Sequence, residues 1–245
     1  MDPRQRRWFL REPSPDAKML LLAMPYSGCG ASMYKGWPTS VGDAEVVPIQ
    51  QPFRENRMRE PHFGTYQDVT KMMLDDIGDI VTGRPWAVFG HCGGALPAFE
   101  TVIQARERGL TPPHQCFMSS QVAPQDGPWG RFLSLDEDGL RAEIAGLLSA
   151  MGAAGSAAEE LVDLFIDTME ADVEANRVYW RPAGTVDCPI TGIGWDEDVE
   201  VPHGLMTGWP LWAPYEKVLL HGTHYSFLEA PAELIDVLAE RMRAG

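Results

Sequence analysis

Basic residues are scarce in this chain: 20 Lys and Arg stand against 35 Asp and Glu, a formal net charge of −15 at pH 7. A polyanion would be repelled, which argues against nucleic acid or an anionic membrane surface as a partner. The one basic cluster, Arg4, Arg6, Arg7 and Arg11, is short and reads as a solvated terminal arm. Cysteine is also sparse. Cys29, Cys92, Cys116 and Cys188 lie far apart with no C-x-x-C pair. That argues against a zinc or other metal site and against a disulfide framework, and for a reducing cytoplasm. No apolar run reaches the length of a membrane span. The Arg-rich start lacks the apolar core of a signal peptide, so a cytoplasmic location is expected. There is no internal repeat, and the Ala/Gly/Ser patch at 150–158 is the sole low-complexity tract.

What is present is enough for a large core. The chain has 245 residues, 44% of them hydrophobic, and its 24 Gly and 20 Pro suggest many short connections. Met19 to Met24, Glu45 to Ile49, Ala87 to Phe89, Gln115 to Ser119, Pro189 to Gly194 and Lys217 to Leu220 are short apolar runs. The first suits a central parallel strand covered on both faces, and the others read as further strands. Tyr66, Val69, Met73, Ile77 and Ile80 mark one face of an amphipathic helix between the second and third runs. A final helix is expected over 231–243.

The third run leads into Gly90-His91-Cys92-Gly93-Gly94 and then a segment with helical spacing. This is the nucleophile-elbow pattern G-x-S-x-G with cysteine in the serine position. Glycines flank a residue in strained backbone geometry, and the strain pushes the Cys92 sulfur out of the turn. The helix that follows points free N–H groups and the positive end of its dipole at that sulfur, an arrangement that favours a thiolate. Pro97, early in that helix, removes a backbone donor and is expected to kink the helix or delay its start. Upstream, the first run enters the small-residue loop Pro25-Tyr26-Ser27-Gly28-Cys29-Gly30. In the α/β-hydrolase fold this loop supplies one oxyanion-hole N–H and the residue after the nucleophile supplies the other. Ser27 and Gly93 are the candidates.

From 127 to 180 the rhythm changes to helices with no strand between them. Leu133 to Asp138 reads as a helix cap, followed by Leu140, Ile144, Leu147 and Leu148, then the Ala/Gly/Ser break, then a longer helix through Leu161, Leu164, Phe165 and Met169. We expect an inserted helical lid (127–180) between two parts of the core (1–126 and 181–245). After the lid come an acid-rich loop, Asp196-Glu197-Asp198, and a late histidine loop, His221-Gly222-Thr223-His224. The order nucleophile, acid, histidine is that of the α/β-hydrolase fold. Asp196, Glu197 and Asp198 compete for the acid role. His221 competes with His224, although the small residues before His224 suit a tight active-site loop.

Over nearly its whole length the chain resembles the type II thioesterases that accompany nonribosomal peptide and polyketide synthases. Pro25-Tyr26-Ser27-Gly28 is similar to that family's P-H-A-G loop, and Gln51 to Arg57 to its L-P-G-R-E-x-R segment. Phe89 to Ala95 is similar to F-G-H-S-M-G-A, Cys188 to Thr191 to C-P-I-T, and Gly222 to Leu228 to G-G-H-F-F-L. The ungapped register from Cys188 to Val201 against the family's D-D-P-x-V assigns the triad acid to Asp198, and the last match supports His224. Three departures stand out: Cys92 for serine, Gly93 for methionine, and Val199 for proline.

The resemblance implies an α/β-hydrolase fold, with a mostly parallel central sheet, helices on both faces and an inserted lid. It implies a monomer that acts on acyl or aminoacyl thioesters carried by the phosphopantetheine arm of an acyl or peptidyl carrier protein. No cofactor of its own is expected. A serine nucleophile takes an acyl group downhill from thioester to ester, so water finishes the reaction. A cysteine exchanges thioester for thioester and retains the energy to acylate a second thiol. Hydrolysis is therefore the first expectation. An acyltransferase shuttling the group from Cys92 to a second carrier is the second, and a catalytically idle binding protein the third.

Overall fold

Each of the six apolar runs becomes a strand, and the strands lie side by side in one sheet. In the computed structural model, which describes residues 1–150 and 156–243, the elements follow in this order. A short helix α1 (Pro3–Arg6) precedes β1 (Met19–Ala23), β2 (Ser40–Val41), β3 (Ala44–Pro48), α2 (Tyr66–Thr82), β4 (Trp86–His91) and α3 (Ala95–Glu107). Then come β5 (Gln115–Ser119), α4 (Glu137–Ala150), α5 (Ser156–Val178), β6 (Ile190–Trp195), β7 (Tyr215–Leu220) and α6 (Ala232–Arg241). The sheet order is β2-β3-β1-β4-β5-β6-β7. Every neighbouring pair is parallel except β2 with β3. This is the α/β-hydrolase arrangement expected from the elbow motif.

β1, β4, β5 and β6 are buried along their whole length, which is why their sequences read as continuous apolar runs and not as alternation. Alternate residues serve the two faces. Leu20 and Leu22 join Val69, Met73 and Ile77 of α2 and Phe99 of α3. Leu21 joins Phe89, Phe117, and Leu234 and Leu238 of α6.

Three features differ from the sequence reading. β2 is too short to show a pattern, but Gly42 at φ +57° makes the tight turn that folds it back on β3. The basic terminal segment is not wholly a solvated arm. Arg7 Nη2 lies 2.7 Å from Asp76 Oδ2, and Trp8 is completely buried, so this segment is tied to α2. Pro97 causes no conflict, because it falls at the third residue of α3, where its missing N–H would have had no partner within the helix.

Between β5 and β6 the chain makes a turn at Arg131–Ser134 and then α4 and α5, with no strand among the described residues. Asp136 caps α4 by accepting from the Gly139 N–H at 2.9 Å. The heart of the expected Ala/Gly/Ser break, residues 151–155, and the side chains of Leu147, Leu161 and Leu164 lie outside the described residues. Among the described residues, no helix is long and apolar enough to cross a membrane.

Candidate active site

At the carboxyl end of β4 the backbone turns so sharply that Cys92 takes φ +48°, a left-handed conformation that costs a non-glycine residue about 1–3 kcal/mol. The turn needs glycine before it. A Cβ on Gly90 would fall 2.3 Å from the Gly94 carbonyl oxygen and 2.5 Å from Ala95 Cα, backbone atoms that cannot yield. A second close approach explains Gly93. A Cβ there would fall 2.0 Å from the Ser27 hydroxyl, so the serine side chain fills the space a residue-93 side chain would take. Ser27 is itself buried and engages the Tyr66 hydroxyl. The structure thus brings both sequence-predicted oxyanion residues, Ser27 and Gly93, side by side.

β6 and β7 deliver the other two groups. His224 is buried and near enough to Cys92 for the two to interact electrostatically. Its Nδ1 lies 2.9 Å from Asp198 Oδ2. Asp198 is over-determined: Ser120 Oγ donates to Oδ2 at 2.7 Å, and the Glu200 and Val201 N–H groups donate to Oδ1 at 2.9 and 3.0 Å. Burial alone would raise the Asp198 carboxyl, but His224 and these donors outweigh it and hold it below the usual carboxylate range. Burial likewise opposes a charged imidazole. The negative charge available at Cys92, the Asp198 bond and Glu200 override it and push His224 up to about 10. The site therefore favours a protonated imidazole at His224.

The competing sequence candidates pair with each other instead. His221 Nδ1 sits 3.1 Å from Asp196 Oδ2 on an exposed loop, and Glu197 is exposed. Cys29 is buried, and burial pushes its thiol up to about 12, so it is a poor nucleophile. It faces a cleft of about 370 Å³ lined largely by Met33, Ile144, Leu148, Phe165 and Met169, beneath α4 and α5. All four cysteines are free thiols.

Other groups at the site have no role that the motifs assign. Tyr26 OH lies 3.3 Å from His224 Nε2, and Glu200 Oε2 lies 3.4 Å from the same nitrogen. His91 stacks on Phe227 with ring centroids 3.9 Å apart and sits 4.6 Å from the His224 ring. Burial, with the His224 charge, lowers His91 well below the usual range and keeps it neutral. Asp172 of α5 reaches back to the oxyanion loop, accepting from the Gly28 N–H at 2.8 Å. The same carboxylate takes a bidentate fork from buried Arg54, both bonds 2.9 Å, and a 2.8 Å contact from His62. Burial would raise Asp172, but Arg54 and His62 hold it at about 2. Arg54 and Asp172 are 118 residues apart, a pairing no local pattern reveals. Among the described residues, no three His, Cys, Asp or Glu side chains converge to hold a metal ion.

Comparison with known proteins bears on the family and the fold. The model of the thioesterase domain family matches residues 20–209. The chain is 26% identical to the gramicidin S biosynthesis protein GrsT of Aneurinibacillus migulanus, covering 97% of this chain and 94% of that one. It is 26% identical to thioesterase PikA5 of Streptomyces venezuelae, over 82% of this chain and 73% of that one. Among solved structures it is similar to RedJ, a thioesterase from the prodiginine biosynthetic pathway in Streptomyces coelicolor. There the identity is 27% and the TM-score 0.80, covering 96% of this chain and 92% of that one.

Proposed function

We propose that this chain, which belongs to the thioesterase domain family, cleaves acyl or aminoacyl thioesters carried on the phosphopantetheine arm of a carrier protein, through an acyl group held on Cys92. It is a hydrolase acting on thioester bonds, and its relatives place it in natural-product biosynthesis. The observation that carries the cysteine mechanism is geometric: Cys92 is raised on a left-handed turn, and the imidazole that responds to its charge is fixed by Asp198 at 2.9 Å.

In this reading the Cys92 thiolate attacks the thioester carbonyl carbon, and the oxyanion is held by the Ser27 and Gly93 N–H groups. The His224 imidazolium gives its proton to the departing pantetheine sulfur. Now neutral, His224 takes a proton from water as the water oxygen attacks the acyl carbon. The C–S bond to Cys92 breaks and the thiolate–imidazolium pair is restored. Asp198 keeps the ring in the tautomer that presents Nε2 to the reacting atoms. The phosphopantetheine arrives on the partner, so the chain supplies no cofactor.

The expected lid role of 127–180 rests on α4 and α5 covering the cleft beside the oxyanion loop. Cysteine at the elbow favours a second reading, in which a thiol takes the place of water and the acyl group moves to another carrier. Turnover of an acylated carrier protein tests the shared first half of both. Cys92→Ala should abolish it, and Asp198→Asn should lower kcat by roughly 10⁴ while Asp196→Asn leaves it unchanged. Turnover surviving in Cys92→Ala, or a crippled Asp196→Asn beside a normal Asp198→Asn, would overturn the assignment.

A further inference from the structure

The triad explains one carboxylate on His224, but the ring has two. Glu200 stands two residues beyond Asp198, and its Oε2 lies 3.4 Å from His224 Nε2, the nitrogen that serves Cys92. Its side chain is only 7% exposed, so this contact is made out of bulk water. The loop holds it there. The Glu200 N–H donates to Asp198 Oδ1, and Trp129 Nε1 donates to the Glu200 carbonyl at 3.3 Å. One cation balances Glu200: Arg131 Nε, 3.7 Å from the same oxygen, whose other end pairs with Glu143 of α4.

We propose that Glu200 is a positioning residue for His224, a second carboxylate that keeps the proton on Nε2 once Cys92 is acylated, so that the acyl group passes to an incoming thiol in preference to water. The proposal rests on the Cys92 acyl-enzyme described above and takes the second of its two readings, in which a thiol replaces water as the acceptor.

Water and a thiol make different demands on His224. In hydrolysis a new C–O bond forms, the C–S bond to Cys92 breaks, and a water proton must go to a neutral Nε2. In transfer the acceptor enters as a thiolate, a new C–S bond forms, and Cys92 leaves as a thiolate. No base is needed at that step, because a free thiol has pKa about 8.5 and ionises in part at pH 7–8, whereas water at 15.7 does not. Anything that keeps His224 charged therefore slows water and spares thiols.

In the resting enzyme both Cys92 and the two carboxylates support the imidazolium. Acylation removes the Cys92 charge and leaves Asp198 and Glu200. The remaining groups facing the ring are His91 of β4, neutral by burial, the phenols of Tyr26 and Tyr225, and Arg131 through Glu200. Glu200 is the one acid among them that touches Nε2 directly.

The test isolates the second half-reaction. Cys92 is acylated with an acyl-N-acetylcysteamine, the acyl-enzyme is desalted, and its decay is followed by intact mass between pH 6 and 10, with and without added pantetheine. Glu200→Gln, which keeps the shape and removes the charge, should speed decay in water about tenfold at pH 7, move the pH profile of hydrolysis downward, and lower the ratio of transfer to hydrolysis. Arg131→Met removes the counter-charge and should do the reverse, slowing hydrolysis and moving the profile upward. Opposite shifts are not expected of residues that merely hold the loop. Unchanged pH profiles, or losses of the same sign in both variants, would overturn the proposal. Failure of Cys92 to become acylated at all would instead remove the reading beneath it.

Discussion

At the scale of single residues, the site is a set of mutual accommodations around one sulfur. Cys92 accepts a strained φ, Gly90 leaves room for the turn, and Ser27 occupies the volume that Gly93 gives up. Glycine for methionine after the nucleophile, and serine where the P-H-A-G loop has alanine, are thus halves of one packing solution. Gly93→Ala alone should turn the Ser27 hydroxyl away from Tyr66 and lower kcat. Adding Ser27→Ala, which removes the clashing oxygen, should recover most of the loss in the same assay. The charge state of the pair has its own signature. His224 is raised to about 10, so its imidazolium persists through neutral pH and is lost only as pH rises through that value. The acylation rate should hold through the neutral range and fall above about pH 10. Cys92→Ala removes the largest of the influences that raise His224, so NMR of the ring carbons should show it titrating at lower pH. An unchanged His224 titration in that variant would break the link between the two side chains.

At the scale of elements, the insertion is two helices with different attachments. α5 turns a row of polar residues inward. Thr168 donates to the Phe53 carbonyl, Asn176 donates to the Trp129 carbonyl, and Asp172 binds Arg54 and the Gly28 N–H. Opening that helix would strand a buried guanidinium. α4 instead presents apolar Leu140, Ile144 and Leu148 to the core and holds Arg131 through Glu143. Lid movement is therefore expected in α4, with α5 remaining seated. Asp172→Asn should destabilise the fold by about 3–5 kcal/mol, the usual cost of leaving one partner of a buried ion pair alone, read from urea denaturation at pH 7. The sign with pH is fixed by the lowered carboxyl. Its contribution is present above the ordinary value near 3.9 and is lost as pH falls toward about 2. The gap between wild type and Asp172→Asn should narrow over that interval, and a gap independent of pH would rule out the ion pair as its source.

At the scale of the whole molecule, the strands and the order of functional groups were legible because both leave local marks. A strand buried on both faces is an uninterrupted apolar run, as at Met19–Ala23, and a nucleophile elbow needs small residues at fixed spacing around Cys92. What stayed hidden was long-range pairing. Nothing near Asp172 announces Arg54, and nothing near Glu200 announces His224 Nε2. The choice among Asp196, Glu197 and Asp198 needed a family register, and geometry gives its reason: Asp196 turns outward to His221, whereas Asp198 turns inward to His224. The central claim is that the acyl group passes through Cys92 and through none of the other three thiols. The most direct measurement mixes the protein with a carrier bearing a labelled acyl group, quenches in acid within the first turnover, and maps the label by peptide mass spectrometry. The account predicts label on the peptide containing Cys92, and none on those containing Cys29, Cys116 or Cys188. Label on Cys29, or turnover with no labelled cysteine at any time, would contradict it.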